Sequence, residues 1–204
     1  MIRGMLKHVR NASLVVALSA ATAGAQIITF STTGSFTGTG CAGTTCTFGG
    51  YTLTWTNSAS SSYFSGSTVD LGTFATQAAA GSGLTAIPGN VMFTLMINQT
   101  APAAGSGQYV GSVAGSLQFD PASFSSLAWT PTTQLVTIDG VVYDIITDEN
   151  GKINIAAPTG SQNPNPTLVK AVATVPEPAS MFLLGTGLIG VIGAARIKRK
   201  KQTV

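Results

Sequence analysis

The chain has 204 residues; 44% are hydrophobic, only 8% are charged, and 24 are glycine. So little charge with so much apolar content is the reverse of a disordered composition. The formal charge of +3 belongs to the two ends: between residues 26 and 175 only Lys152 and Lys170 face six acidic residues, so the body lacks the basic face that nucleic-acid phosphates require.

Residues 1–25 have the three parts of a secretory signal. Arg3, Lys7, His8 and Arg10 form a positive start, Ala12–Ala23 an apolar run, and Ala23, Gly24 and Ala25 a small-residue cleavage site. The run of 12 is too short for a bilayer span, which takes about 20 residues. Signal peptidase is expected to cut between Ala25 and Gln26; the alternative is a buried N-terminal helix. His8 is the only histidine and would leave with the signal. The exported chain then has no Ser-His-Asp or Cys-His catalysis and no histidine metal site. It is expected to be no enzyme and to need no cofactor.

Residues 26–160 read as an antiparallel β-sandwich of jelly-roll type, with a linker and last strand over 161–175. Strands are expected at Ile27–Thr32, Tyr51–Thr56, Thr68–Thr76, Val91–Asn98, Ser112–Phe119, Phe124–Trp129 and Thr167–Thr174. Period-2 alternation carries the reading: Tyr51, Leu53 and Trp55 alternate with threonines, and Val91, Phe93, Leu95 and Ile97 alternate with a second set. Pro88-Gly89-Asn90, Pro102–Gly107, Asp120-Pro121 and Thr130-Pro131 read as turns. Asp139-Gly140 lies between β-branched runs, which predicts a type I′ hairpin joining Leu135–Ile138 to Val141–Ile146. A turn at Asp148–Gly151 is expected to add Lys152–Ile155 as the third strand of a meander. Short strands at these intervals, without a repeat period, favour two stacked sheets over a solenoid.

Candidate chemistry in the body is sparse. Cys41 and Cys46 lack the further ligands that zinc needs and the C-x-x-C spacing of a redox pair. In an exported chain they read as a local disulfide closing a Gly/Thr loop, against two free thiols. Asp144, Asp148, Glu149 and Asn150 could offer oxygen ligands to Ca²⁺, but do not match an EF-hand loop; the other reading is a solvated hairpin tip. Paired carboxylates for glycoside hydrolysis would need a cleft and a buried acid, of which the sequence gives no sign. Thr52, Thr54 and Thr56 form one threonine row, which could order water or ice, or simply suit a strand. Trp55 and Trp129, with Tyr51, Tyr63 and Tyr109, could stack sugar rings or fill the core.

The C-terminal region has its own pattern. Val175-Pro176-Glu177-Pro178 precedes Ala179–Ala195, an uncharged run of 17 residues, about 26 Å as a helix. Arg196, Lys198, Arg199, Lys200 and Lys201 follow; such a cluster stays cytoplasmic and would stop the span with the body outside. Pro176 and Pro178 keep the helix from extending upstream. An ordinary C-terminal anchor is the plain reading.

Residues 175–201 resemble the PEP-CTERM sorting signal of exopolysaccharide-producing bacteria: a Pro-Glu-Pro motif, a Gly-rich apolar span and a basic tail. The same tail is also named an ice-binding-protein C-terminal domain. The resemblance implies recognition at Pro176, Glu177 and Pro178 by exosortase, an integral-membrane cysteine protease. It covers about 27 residues, with 176–201 as the sorting domain, and says nothing about the body. Several bodies with this signal are β-sandwiches, and Phe93–Thr100 followed by Pro102 is similar to strands in some of them. The implied partners are signal peptidase, exosortase and the inner membrane, with exopolysaccharide as a further one. The implied route is export, anchoring at the inner membrane, then the surface or medium. The expectation is a non-enzymatic surface or matrix protein; the alternative is a carbohydrate-binding module.

Overall fold

The structure is a computed structural model that describes residues 26–79, 81–118, 127–158 and 165–176. The described residues form β-strands and loops, with no helix. In chain order the strands are β1 (Ile27–Thr37), β2 (Cys41–Ala42), β3 (Thr45–Phe48), β4 (Tyr51–Asn57), β5 (Ser61–Phe64), β6 (Ser67–Ala78), β7 (Thr85–Ala86) and β8 (Met92–Ala101). They continue as β9 (Gly105–Ala114), β10 (Ser116–Leu117), β11 (Ala128–Pro131), β12 (Leu135–Ile138), β13 (Val141–Ile145), β14 (Ile153–Asn154) and β15 (Asn165–Thr174).

Two large antiparallel sheets result. The first has six strands in the order β14-β11-β9-β8-β1-β5, and the second has seven in the order β12-β13-β15-β6-β4-β3-β2. A small pair, β10 with β7, stands apart. The alternation predicted for β4 and β8 is present: Tyr51, Leu53 and Trp55, and Phe93, Leu95 and Ile97, are buried, and the intervening side chains are not.

The buried faces of the two sheets meet in one core. Phe93 on β8 lies 4.8 Å from both Trp55 on β4 and Phe74 on β6, and 5.1 Å from Trp129 on β11. These tilted and edge-on ring contacts span the sheets and are the favoured aromatic geometries. Trp55 fits because glycines flank it. A Cβ at Gly34 on β1 or at Gly72 on β6 would collide with its indole. Gly72 also has φ +137°, a conformation L side chains rarely adopt, and it lies where the β15–β6 register shifts.

A buried polar chain also joins the sheets. Tyr109 on β9 donates its hydroxyl to Tyr143 O at 2.7 Å, and Tyr143 on β13 donates to Gln99 Oε1 at 2.9 Å. The Gln99 amide donates onward to Ala103 O at 2.8 Å and to Ile138 O at 3.4 Å. Every member is partnered, as most buried polar groups are.

The Asp139-Gly140 hairpin is as predicted: both residues have positive φ, 43° and 83°, between β12 and β13. The predicted meander is corrected. The chain after Asp148–Gly151 leaves that sheet, and β14 pairs with β11 in the other one. The vacated neighbour of β13 is β15, which also pairs with β6. Ile153 and Ile155 are buried in the core cluster. Three boundaries also shift. β9 starts at Gly105, inside the turn expected over Pro102–Gly107, and Ala101–Pro102 is a cis peptide. The strand expected over Ser112–Phe119 breaks at Gly115, whose φ is 124°. Thr130 and Pro131, expected in a turn, finish β11. The expectations for residues 1–25, 119–126, 159–164 and 177–204 lie outside the described residues.

Candidate functional site

The segment that would carry sorting begins where the body ends. β15 stops at Thr174, and Val175 packs against the core. The Val175 N–H is bonded to Ser65 Oγ at 2.8 Å, in the β5–β6 turn. Pro176 follows and is exposed. Proline fixes φ and has no N–H to donate, so it leaves the sheet ladder in an extended form. Glu177, Pro178, the Ala179–Ala195 run and the basic residues Arg196, Lys198, Arg199, Lys200 and Lys201 lie outside the described residues, as does Ala25. Gln26 is described and exposed, and its carbonyl accepts the Ser65 N–H at 2.9 Å. Ser65 thus touches both ends of the body. No sequence signal singled it out, because it is one of six serines between residues 58 and 67. Among the described residues no helix is long and apolar enough to cross a membrane.

Cys41 and Cys46 are joined by a disulfide. They are register partners across the β2–β3 hairpin, which holds their side chains on one face.

Asp148 braces the turn before β14. Its Oδ1 accepts the N–H groups of Asn150 at 2.9 Å and Lys152 at 2.8 Å, and Oδ2 accepts from Asn154 Nδ2 at 3.0 Å. The Lys152 backbone bond, with the Asn154 and Asn150 bonds, holds its carboxyl below the ordinary 3.8. Of the calcium candidates, Asp148 therefore has a structural task within its own turn. Among the described residues no group of three or more His, Cys, Asp or Glu side chains is placed to hold a metal.

Asp144 and Asn150 instead share a surface groove of about 530 Å³ with Thr130, Thr132, Gln134 and Leu135. The groove offers hydroxyl, amide and carboxylate groups beside the apolar side chains of Pro131 and Leu135.

The two tryptophans require a correction. Trp55 is 4% exposed and Trp129 is fully buried, so neither presents a ring face to a sugar. Trp55 Nε1 donates to Asn57 Oδ1 at 2.8 Å, within the fold. Tyr51 and Tyr109 are buried as well, whereas Tyr63 stacks on Phe30 at 5.6 Å. Their period-2 placement suited either reading, and the ring cluster decided for the core. Burial pushes the Tyr109 hydroxyl well above its ordinary range, with Asp144 and Tyr143 adding to it, and burial does the same to Tyr143.

The threonine row faces outward. Thr52 and Thr54 are half-buried and Thr56 is exposed, opposite Thr47, Thr45 and Thr73 on neighbouring strands.

Residues 174–200 match the family model of the PEP-CTERM protein-sorting motif. The match starts on the last residue of β15 and covers the Pro176–Pro178 motif, the apolar run and most of the basic cluster. No curated protein and no solved structure matches the chain. The motif is a sorting signal for export, and it implies processing by exosortase at a membrane.

Proposed function

We propose that this chain is an exported, non-enzymatic surface or matrix protein, held at the inner membrane by its C-terminal run until exosortase cuts at Pro176–Pro178. The observation that carries the reading is the sorting-motif match at residues 174–200. Ala179–Ala195 serves as the span, and the five basic residues from Arg196 to Lys201 resist translocation. The signal at residues 1–25 starts export and is removed before Gln26. The body over 26–160 then folds outside as a jelly-roll-like sandwich, whose chain repeatedly changes sheet. The absence of histidine after His8 supports a non-catalytic role.

Glu177 is the only charge in the motif, so a basic pocket in the protease can read it. In a host with exosortase, Glu177→Ala is expected to leave the chain in the inner membrane while the wild type reaches the surface or medium. Identical fractionation of the two would overturn the reading.

A second reading is a carbohydrate-binding module. With both tryptophans buried, the feature that favours it is the groove at Thr130, Gln134, Asp144 and Asn150. Its hydroxyls and amides suit a polyol. Binding of host exopolysaccharide that is lost in Gln134→Ala, with the fold intact, would promote it.

A further inference from the structure

Both ends of the body converge on one turn. Ser65 donates its N–H to Gln26 O at 2.9 Å and accepts the Val175 N–H on Oγ at 2.8 Å. Beside it, the Gly66 N–H bonds to Ala173 O at 2.7 Å. The residue expected to follow signal cleavage and the residue that precedes the sorting motif are therefore neighbours.

An exposed apolar pair lies at the same place. Ile27 and Phe64 are register partners on β1 and β5, and they are 52% and 60% exposed. Each adjoins a residue of the junction, Gln26 or Ser65. The segments that build this corner, 26–31, 58–69 and 171–176, contain no Lys, Arg, Asp or Glu. Among the described residues, Asp139 is the acidic group that the register brings to this end, on the far side of β15.

Chain length sets where the corner goes. Val175 is anchored in the fold, and the uncharged run starts at Ala179. From Val175 to Ala179 the chain takes four steps and reaches at most about 14 Å when extended. A body tied this closely to a span cannot stand clear of the bilayer. In the anchored precursor its terminal end would lie nearest the lipid, and that end carries two large apolar side chains.

We propose that, in the anchored precursor, the end of the sandwich bearing Gln26, Ser65 and Val175 rests on the lipid surface, with Ile27 and Phe64 seated among the headgroups. The proposal rests on the anchored reading above. Exposed apolar side chains lying in the plane of the interface are a recognised mode of peripheral contact. The Ser65 bonds make the contact directional, because they fix the exit of β15 relative to β1 and β5. Exosortase would then meet the motif on a body already oriented at the membrane.

The test uses the full chain in phosphatidylethanolamine–phosphatidylglycerol vesicles, with an environment-sensitive fluorophore on Phe64→Cys. Cys41 and Cys46 are bonded to each other, so labelling goes to the new thiol. Gln77→Cys is the control: it is exposed on β6, ten residues beyond Ser67 and about 33 Å from the corner. The Phe64 probe is expected to shift to the blue, and headgroup-level nitroxide lipids should quench it severalfold more than the Gln77 probe. Equal, water-like signals from both sites on vesicle-bound protein would overturn the docking and leave the anchor standing. A blue shift that persists without lipid and grows with protein concentration would assign the pair to a second copy and overturn the lipid proposal. Failure of the chain to float with vesicles would overturn the anchor and the docking together.

Discussion

The Tyr143 hydroxyl donates to Gln99 Oε1 at 2.9 Å in the interior, joining β13 of one sheet to β8 of the other. Removing that donor leaves a buried carbonyl oxygen without this partner. Tyr143→Phe is therefore expected to cost about 1–3 kcal/mol, read as a lower urea midpoint.

The same network sets an alkaline limit. Burial raises Tyr109 and Tyr143 above the ordinary phenol value of 10.0, so the fold favours their neutral forms. An unfolded chain loses these protons from pH 10 upward, whereas the folded one retains them. Their contribution is complete below pH 10 and falls as pH rises through the raised folded values. Urea midpoints are expected to stay level on the neutral side and drop above pH 10, less steeply in Tyr143→Phe. An unchanged slope in that variant would rule out Tyr143 as a source.

Gly72 is expected to be intolerant of any side chain. Its φ of +137° disfavours L residues, and a Cβ there would strike the Trp55 indole and Thr56 O. Gly72→Ala should lose about 3 kcal/mol, strain and overpacking together. Gly66 also has positive φ, 84°, but nothing within 4 Å of a Cβ, so Gly66→Ala isolates the backbone part. The difference between their midpoints reports the collisions with Trp55 and Thr56 O.

Much of this fold was legible because period 2 and turn chemistry are local. Tyr51–Asn57 and the Asp139-Gly140 hairpin needed no tertiary information. Sheet membership did not follow, since β14 has the alternation of a meander strand yet pairs with β11. Nothing in Ile153–Ile155 states which sheet has room. The sorting segment was readable because its motif, apolar run and basic cluster are contiguous. Ser65 was invisible for the opposite reason: its partners lie 39 and 110 residues away. Aromatic side chains on alternating positions look alike whether they face solvent or core, so Trp55 and Trp129 were decided by packing alone.

Asp148 is expected to hold its turn above acidic pH only. Its carboxyl lies below the ordinary 3.8, chiefly through the Lys152 backbone bond. A depressed carboxylate contributes above its unfolded value and loses that contribution as pH falls through its lower folded one. Hydrogen exchange at the Asn150 and Lys152 amides should be slow at neutral pH. It should speed up in Asp148→Ala, where both acceptor bonds are lost. Unchanged protection at both amides would show that the turn closes without the carboxylate.

The Cys41–Cys46 bond is expected to stabilise the fold without being required for it. It bridges a hairpin whose other strand, β3, is held by four register pairs to β4. Cys46 is buried beside Leu53 in the core, so β3 remains anchored when the bond is absent. β2 is different: it is the outermost strand of its sheet and has two residues. The bond ties that edge to its neighbour. A cross-link closing so short a loop is worth about 2 kcal/mol by its effect on the unfolded chain. Reduction, or the double change Cys41→Ser with Cys46→Ser, should therefore lower the unfolding free energy by that amount, read from a lower urea midpoint. The sheet signature in circular dichroism should persist. Alkylation without reductant should add no mass to protein taken from an oxidising compartment, and two adducts should appear after reduction. Collapse of the sheet signature on reduction would show that the β2 edge supports the whole second sheet rather than only its margin.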